Sequence, residues 1–336
     1  MAIVKANAYG HGLAEVVEAL RGVVAMFGVA NVREAGAVRA VLGADAPGIF
    51  ILGPALPEER EEIVTGGFFP AVSSAGEAAA YSALCSGKRL PIHVAIDTGM
   101  GRMGMREAAA LEIITEISEL PGVVIAGIGT HQPVADEDEG YTRGQLGRFE
   151  AVLQGIRELG VDAPFIHKLN SAGLFRFPQR AGTLVRAGLM LYGSSPLPEH
   201  QMELRPALAL KTRITMIREL PAGHGVSYGR TFITPREMPV ATLAIGYADG
   251  CNRHLSNQGA DVLIRGRRCP LLGRVTMDQI MVDVSGVGDA AIGDEAILIG
   301  ASGDEEILAA EVAAKAGTIA WDIFTSIGPR VDRVYY

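Results

Sequence analysis

Up to about residue 200, short apolar runs alternate with stretches rich in alanine, glutamate and leucine. The runs are Ala2–Lys5, Met26–Val32, Gly48–Gly53, Phe68–Ser73, Ile92–Asp97, Val123–His131, Pro164–Asn170 and Leu184–Leu189. Most are continuously apolar rather than alternating, the pattern of parallel strands buried on both faces. Helical stretches lie between them at Leu13–Arg21, Arg33–Val41, Glu58–Thr65 and Ala75–Ser86. Ser74 followed by Glu77 marks a capping box at the start of the last of these. Eight such alternations predict an α/β fold, a closed (β/α)8 TIM-type barrel over residues 1–200. An open doubly wound sheet fits less well, because no strand runs into a GxGxxG turn.

The pattern changes after Pro196. Residues 201–336 read as short strands, among them Leu208–Ile217, Pro239–Ile245, Asp261–Ile264 and Ile280–Val284. Turn signals such as Pro221-Ala-Gly and Ala248-Asp-Gly separate them. Two helical stretches follow, Glu305–Ala314 and Ile319–Thr325. The expectation is a mostly β C-terminal domain joined to the barrel without a long linker.

Composition narrows the class. The chain is 49% hydrophobic and 20% charged with a mean hydropathy of +0.24, enough apolar material for a large core and too little charge for a disordered chain. A net charge of −8 and a pI near 5.5 oppose a nucleic-acid partner, which needs a basic face. Cys85, Cys251 and Cys269 are far apart and form no CxxC pair, so neither a disulfide framework nor a metal site is expected. No apolar run approaches the roughly 20 residues of a membrane span. A soluble, cytoplasmic protein is the expectation. There are 25 arginines but only 5 lysines, which draws attention to where each lysine lies.

In such a barrel, functional residues gather at the C-terminal ends of the strands. Those ends read Lys5-Ala-Asn-Ala-Tyr9-Gly-His11-Gly, Asp97-Thr-Gly-Met-Gly-Arg102, Thr130-His131, Asn170-Ser171-Ala172 and Arg186-Ala-Gly188-Leu189. Lys5 has two readings. It is either a rim lysine with its ammonium in water, or a desolvated amine able to form a Schiff base. Scarcity of lysine elsewhere favours the second. Ser171 and the bare backbone at Gly188-Leu189 can hold a phosphate, which such barrels often bind after strands seven and eight. An imine-forming lysine beside a phosphate cradle points to pyridoxal 5′-phosphate (PLP).

Val4-Lys5-Ala-Asn-Ala-Tyr9-Gly-His-Gly resembles the PLP-lysine signature of the alanine racemases. The resemblance continues in order through the barrel motifs above, then Val226-Ser-Tyr-Gly-Arg230, Gly246-Tyr247-Ala-Asp-Gly250 and Gly273-Arg-Val-Thr-Met277-Asp278-Gln279. It implies a homodimer with shared sites that interconverts L- and D-alanine and supplies D-alanine for peptidoglycan. Lys5 would hold PLP and act as one base; Tyr247 of the partner subunit would be the other. Racemisation removes a proton from one face of a carbon and returns one to the opposite face, and two bases of different type on opposite faces answer that need. Tyrosine ordinarily titrates near about 10, and His131 and Arg186 would lower it. Arg186 would face the ring nitrogen of PLP, where decarboxylases place a carboxylate. That residue disfavours the alternative of a barrel-type PLP decarboxylase. Arg102 would support the PLP phenolic oxygen and the substrate carboxylate, helped by the backbone of Met277 from the partner chain, and Tyr9, Ser171, Gly188 and Leu189 would bind the phosphate.

Without the family pattern, Tyr247 reads as a turn tyrosine, Met277 as core filling and Asp278 as a turn cap. His11 reads as structural, and His167 ends a strand without an assigned role. Three departures stand out. Ala95 replaces a lysine that many relatives carry in carbamylated form to brace the arginine equivalent to Arg102. Pro329 and Asp332 stand where relatives have tyrosine and proline. Lys5 also comes almost at once after Met1, where relatives place a strand and a helix ahead of the motif. The expectation is a start assigned too late, with a truncated, inactive PLP-binding protein as the other reading.

Overall fold

The computed structural model describes residues 1–43 and 46–336, which form two compact units. The first comprises Met1–Ala8, Gly12–Leu191 and Ser195–Glu203; the second comprises Tyr9–His11, Tyr192–Ser194 and Leu204–Tyr336.

In the first unit, strands β1 (Ala2–Ile3), β2 (Met26–Val29), β3 (Gly48–Ile51), β4 (Phe69–Val72) and β5 (Leu90–Asp97) pair in parallel in chain order. A two-residue β6 (Met105–Arg106) pairs with the end of β5, and the main sheet continues through β7 (Val123–Gly129) to β8 (Phe165–His167). All four residues of β2 are buried, as expected where both faces of a strand are covered. The eighth predicted strand, Leu184–Leu189, is reduced to two single bridges: Leu184 pairs with His167 and Ala187 with Ala2, both in parallel. Its ladders are short because its neighbours β1 and β8 are themselves only two and three residues long. The bridges still close the ring, with Ile3 N–H on the Ala187 carbonyl at 2.9 Å and Leu184 N–H on the Ile166 carbonyl at 3.1 Å.

The predicted helices form at Leu13–Ala19, Val32–Leu42, Arg60–Gly66 and Ala75–Leu84, with longer ones at Glu107–Ser118 and Glu139–Glu158. The Ser74 hydroxyl accepts the Glu77 N–H at 3.1 Å, and the Glu77 carboxylate reaches back to the Ser73 N–H at 2.8 Å. These two bonds satisfy donors that a helix start otherwise leaves orphaned.

The second unit is an antiparallel sheet. Its strands are β9 (Leu210–Leu220), β10 (Gly225–Val226), β11 (Phe232–Ile233), β12 (Met238–Leu243), β13 (Asp261–Ile264), β14 (Arg267–Leu272), β15 (Ile280–Asp283), β16 (Glu295–Ser302) and β17 (Glu305–Ile307). Pairing runs β13-β14-β15-β12-β9-β16-β17, and β13 also pairs with β16, so six strands close on one another. β10 and β11 form a separate hairpin. The sequence pattern places a helix from Glu305, but Glu305–Ile307 is strand. Gly303, with φ +61°, turns the chain back so that this segment pairs with Gly300–Ser302, and the helix starts only at Ala309.

Candidate active site

At the end of β1 the chain enters a left-handed turn. Ala6, Asn7, Ala8 and Tyr9 have φ of 53°, 55°, 51° and 50°, a conformation disfavoured by about 1–2 kcal/mol per non-glycine residue. Surrounding bonds enforce it. Ala8 N–H donates to the Val4 carbonyl at 2.9 Å, and Gly12 N–H to the Asn7 carbonyl at 3.0 Å. The Glu34 carboxylate accepts the N–H groups of Ala6 and Ala30, both at 2.8 Å. The turn starts directly at Lys5, whose amine is pulled below the ordinary lysine range by burial and then by the Arg102 charge, with Glu34 opposing. More of the neutral, nucleophilic amine is therefore present at working pH.

Arg186 organises the strand ends after β7 and β8. It is 5% exposed. Its Nη1 donates to His167 Nδ1 at 2.7 Å and to the His167 carbonyl at 2.8 Å. Its Nη2 donates to the Thr130 carbonyl at 2.7 Å and to His131 Nδ1 at 3.1 Å. A guanidinium has only donors, so both Nδ1 atoms must be unprotonated and each neutral ring carries its proton on Nε2. Burial, then the Arg102 charge, lowers Arg186 to about 10, which leaves it cationic at neutral pH. His131 is lowered to about 3 by burial, then by Arg186, Arg102 and Lys5. Lys5, Arg102 and Arg186 are thus all within electrostatic reach of His131. A cavity of about 60 Å³ is lined by Arg102, His131, His167 and Arg186, with His93 and Ala95.

Arg102 ends a loop wrapped around the Asp97 carboxylate, whose Oδ1 accepts the N–H groups of Gly99, Met100 and Gly101 at 2.9, 2.8 and 3.2 Å. Burial raises Asp97, but these donors outweigh it and hold the carboxyl below its ordinary range. Arg102 itself is exposed and has no ion-pair partner among the described residues. Such a surplus of cations suits an anionic ligand. A separate group follows β8: the Ser171 hydroxyl accepts the N–H of Gly188 at 3.1 Å and of Met190 at 3.4 Å, and Leu189 opens a 3₁₀ turn.

The remaining sequence candidates lie in the second unit. Tyr9 is buried, its ring stacked on Tyr192 with centroids 5.0 Å apart. Burial pushes its hydroxyl up to about 12 against an opposing hydrogen bond with Trp321. Tyr247 and Met277 are 42% and 52% exposed, and the backbone presents them together. Tyr247 N–H donates to the Thr276 carbonyl and Ala248 N–H to the Met277 carbonyl, both at 3.0 Å. A Cβ on Gly246 would fall 2.2 Å from the Met277 oxygen, so only glycine allows this approach. Arg330 clamps the pair from outside, Nε to Asp249 at 2.9 Å and Nη2 to Asp278 at 2.8 Å.

Comparisons with known proteins place the whole chain in one family. The alanine racemase N-terminal domain family matches residues 1–196 and the alanine racemase C-terminal domain family residues 207–335. The chain belongs to the alanine racemase family. It is 40% identical over 340 residues to an alanine racemase of Halothermothrix orenii, covering 100% of this chain and 89% of the relative. The solved alanine racemase of Clostridium difficile 630 superposes with a TM-score of 0.92 at 34% identity, covering 100% of this chain and 88% of that one. That of Bartonella henselae, solved with covalently bound pyridoxal phosphate, gives 0.90 at 30% identity over 100% and 92%. As a family member the chain is an isomerase, and the barrel followed by a mostly β domain is the family's fold.

Relative to the alanine racemase motifs, three features went unassigned in the sequence. Glu34 pins the left-handed turn, Arg330 ties the Tyr247 and Met277 loops together, and His93 with His167 lies behind Arg186. A signal existed for the last. β7 carries glycine at 127 and 129, two residues apart and therefore on one face. Glycine at this period inside an apolar strand marks room made for a neighbour. His11, read as structural, packs on Tyr192 with centroids 4.5 Å apart and edge-on to Phe324 at 4.9 Å.

Proposed function

We propose that the protein interconverts L- and D-alanine with PLP as cofactor, using Lys5 and Tyr247 of a second copy as opposing bases. The observation that carries this reading is Arg186, a buried cation whose side chain donates only to backbone carbonyls and unprotonated imidazole nitrogens. It suits an unprotonated pyridine nitrogen and not the carboxylate partner of a decarboxylase.

The residues fit PLP. Lys5 supplies an amine of lowered basicity for an aldehyde, Ser171 with the Gly188 and Leu189 backbone would hold the phosphate together with Tyr9, and Arg186 would meet the ring nitrogen. When bound, PLP supplies an electron sink that stabilises the charge left on the substrate α-carbon. Arg102, without a carboxylate partner of its own among the described residues, is available for the substrate carboxylate, helped by the Met277 backbone of the second copy. Lys5 Nζ moves a proton at one face and Tyr247 Oη at the other. His131, whose proton is on Nε2, would donate to the Tyr247 hydroxyl of the second copy and so stabilise a phenolate. The exposed Tyr247–Met277 pair is suited to completing the site of a second copy in a homodimer. The D-alanine produced would serve peptidoglycan synthesis in the cytoplasm.

The test is chiral chromatography of L-alanine incubated with the PLP-loaded protein. The two enantiomers have equal free energy, so the mixture should converge on equal amounts. Release of carbon dioxide without D-alanine would overturn the reading.

A further inference from the structure

His93 and His167 lie in the barrel interior, 1% and 4% exposed. The strand between them makes their space. His93 is in register with Gly127, and His167 with Gly129. A Cβ on Gly127 would fall 2.4 Å from His93 Nδ1, and one on Gly129 2.2 Å from His167 Cε1. Phe50 stacks on His93 at 4.5 Å and Phe165 at 5.8 Å, which fixes the plane of the ring.

Hydrogen bonds run through these rings in one direction only. Arg186 can only donate, so His167 Nδ1 accepts and its proton is on Nε2. That proton points to His93 Nδ1, 2.8 Å away. His93 Nδ1 therefore accepts in turn, and the His93 proton is on Nε2. This last atom has no hydrogen-bond partner in the protein among the described residues, and its ring lines the cavity beside Arg186. The chain thus starts at a permanent cation and ends at a buried N–H.

We propose that His93 is a positioning residue for Arg186, acting through His167. By accepting the hydrogen bond of the His167 Nε2–H, it keeps the His167 Nδ1 lone pair turned toward the guanidinium. Without an acceptor at position 93, the His167 N–H would be buried and unpaired. The other tautomer would set an N–H against the guanidinium at 2.7 Å, two donors facing each other. Either outcome moves Arg186 or weakens its hold. Burial, followed by the Arg186 charge, lowers His93 to about 3, so the ring stays neutral and able to accept. The consequence for turnover rests on the racemase reading; the proton arrangement does not.

The test pairs His93→Phe, which keeps an aromatic ring among Phe50 and Phe165 but removes the acceptor, with His93→Asn, whose Oδ1 stands in for Nδ1. Nitrogen-15 NMR of histidine-labelled, PLP-loaded protein at neutral pH should show wild-type His93 and His167 as Nε2–H tautomers. His167 should keep that form in the Asn variant and leave it in the Phe variant. The alanine kcat should fall about tenfold or more in the Phe variant, with KM within about twofold, and recover in the Asn variant. A wild-type His167 protonated on Nδ1 overturns the chain. An unchanged kcat in a folded Phe variant overturns the positioning role. If the Phe variant does not fold, a wild-type kcat in an Asn variant whose His167 has lost its Nε2 proton overturns the role equally. Should the wild type not racemise alanine, the function fails while the NMR still decides the chain.

Discussion

Arg186 Nη1 donates to His167 Nδ1 across 2.7 Å, setting a buried cation against a neutral imidazole. His167 is held well below the ordinary histidine range by burial first and by Arg186 second, and His93 and His131 are both lowered to about 3. Below pH about 6.5 the unfolded chain takes up protons that the folded chain refuses, so these rings favour the native state fully above that pH and progressively less as pH falls. Each contributes a slope of up to about 1.4 kcal/mol per pH unit. Urea midpoints between pH about 6.5 and 5, above the main carboxylate range, should fall with acidification. His93→Phe should reduce the slope by about one proton; a slope equal to wild type would contradict the burial of a neutral ring there.

Lys5 and Tyr247 act on opposite faces in the proposed reaction. Borohydride reduction of the PLP-loaded protein should leave the cofactor mass on the peptide containing Lys5, and Lys5→Ala should abolish it. Lys5→Ala and Tyr247→Phe should each be inactive alone. Mixing them should restore activity, because a hybrid dimer holds one site with both bases intact. Absence of recovery after demonstrated subunit exchange would exclude shared sites.

The Ser171 hydroxyl gathers two backbone N–H groups, at 3.1 and 3.4 Å. Ser171→Ala removes both bonds and a donor for an anion. PLP affinity, followed by absorbance on titration, should weaken about tenfold or more, from roughly 1–2 kcal/mol of lost hydrogen bonding. Loss of affinity for pyridoxal lacking the phosphate by the same factor would show that Ser171 does not hold the phosphate.

Arg330 joins Asp249 to Asp278 at the surface, 52% exposed on its side chain. Arg330→Met should alter stability by no more than about 1 kcal/mol, because exposed ion pairs contribute little. The KM for alanine should nevertheless rise severalfold, since the clamp ties together the loops bearing Tyr247 and Met277. A melting temperature that drops with no change in KM would show the clamp to be only structural.

The left-handed turn after Lys5 marks a limit of sequence reading. Nothing in Ala6-Asn-Ala-Tyr9 favours positive φ strongly enough to predict four such residues in a row. The conformation is imposed by the Glu34 carboxylate and by bonds to Val4 and Asn7. The sequence pattern extends the first run through Lys5, whereas β1 ends at Ile3. The eighth strand was likewise legible as an apolar run, but its shrinkage to two bridges depended on how short β1 and β8 became.

The sequence by itself determined the eightfold rhythm, the mostly β second unit and the residues at the strand ends. Parallel strands covered on both faces must be apolar throughout, so a lysine or arginine that ends such a run stands out as a candidate for function. Tertiary structure alone decided which way each proton points. From 93 to 127, from 129 to 167 and from 167 to 186 the gaps are 34, 38 and 19 residues. Only the pairing of β5, β7 and β8, together with closure of the ring at Ala187, brings two imidazoles over two glycines and sets the second of them, His167, against a guanidinium. Tautomers are set by partners, and partners are set by register, which the local pattern of hydrophobic residues does not carry.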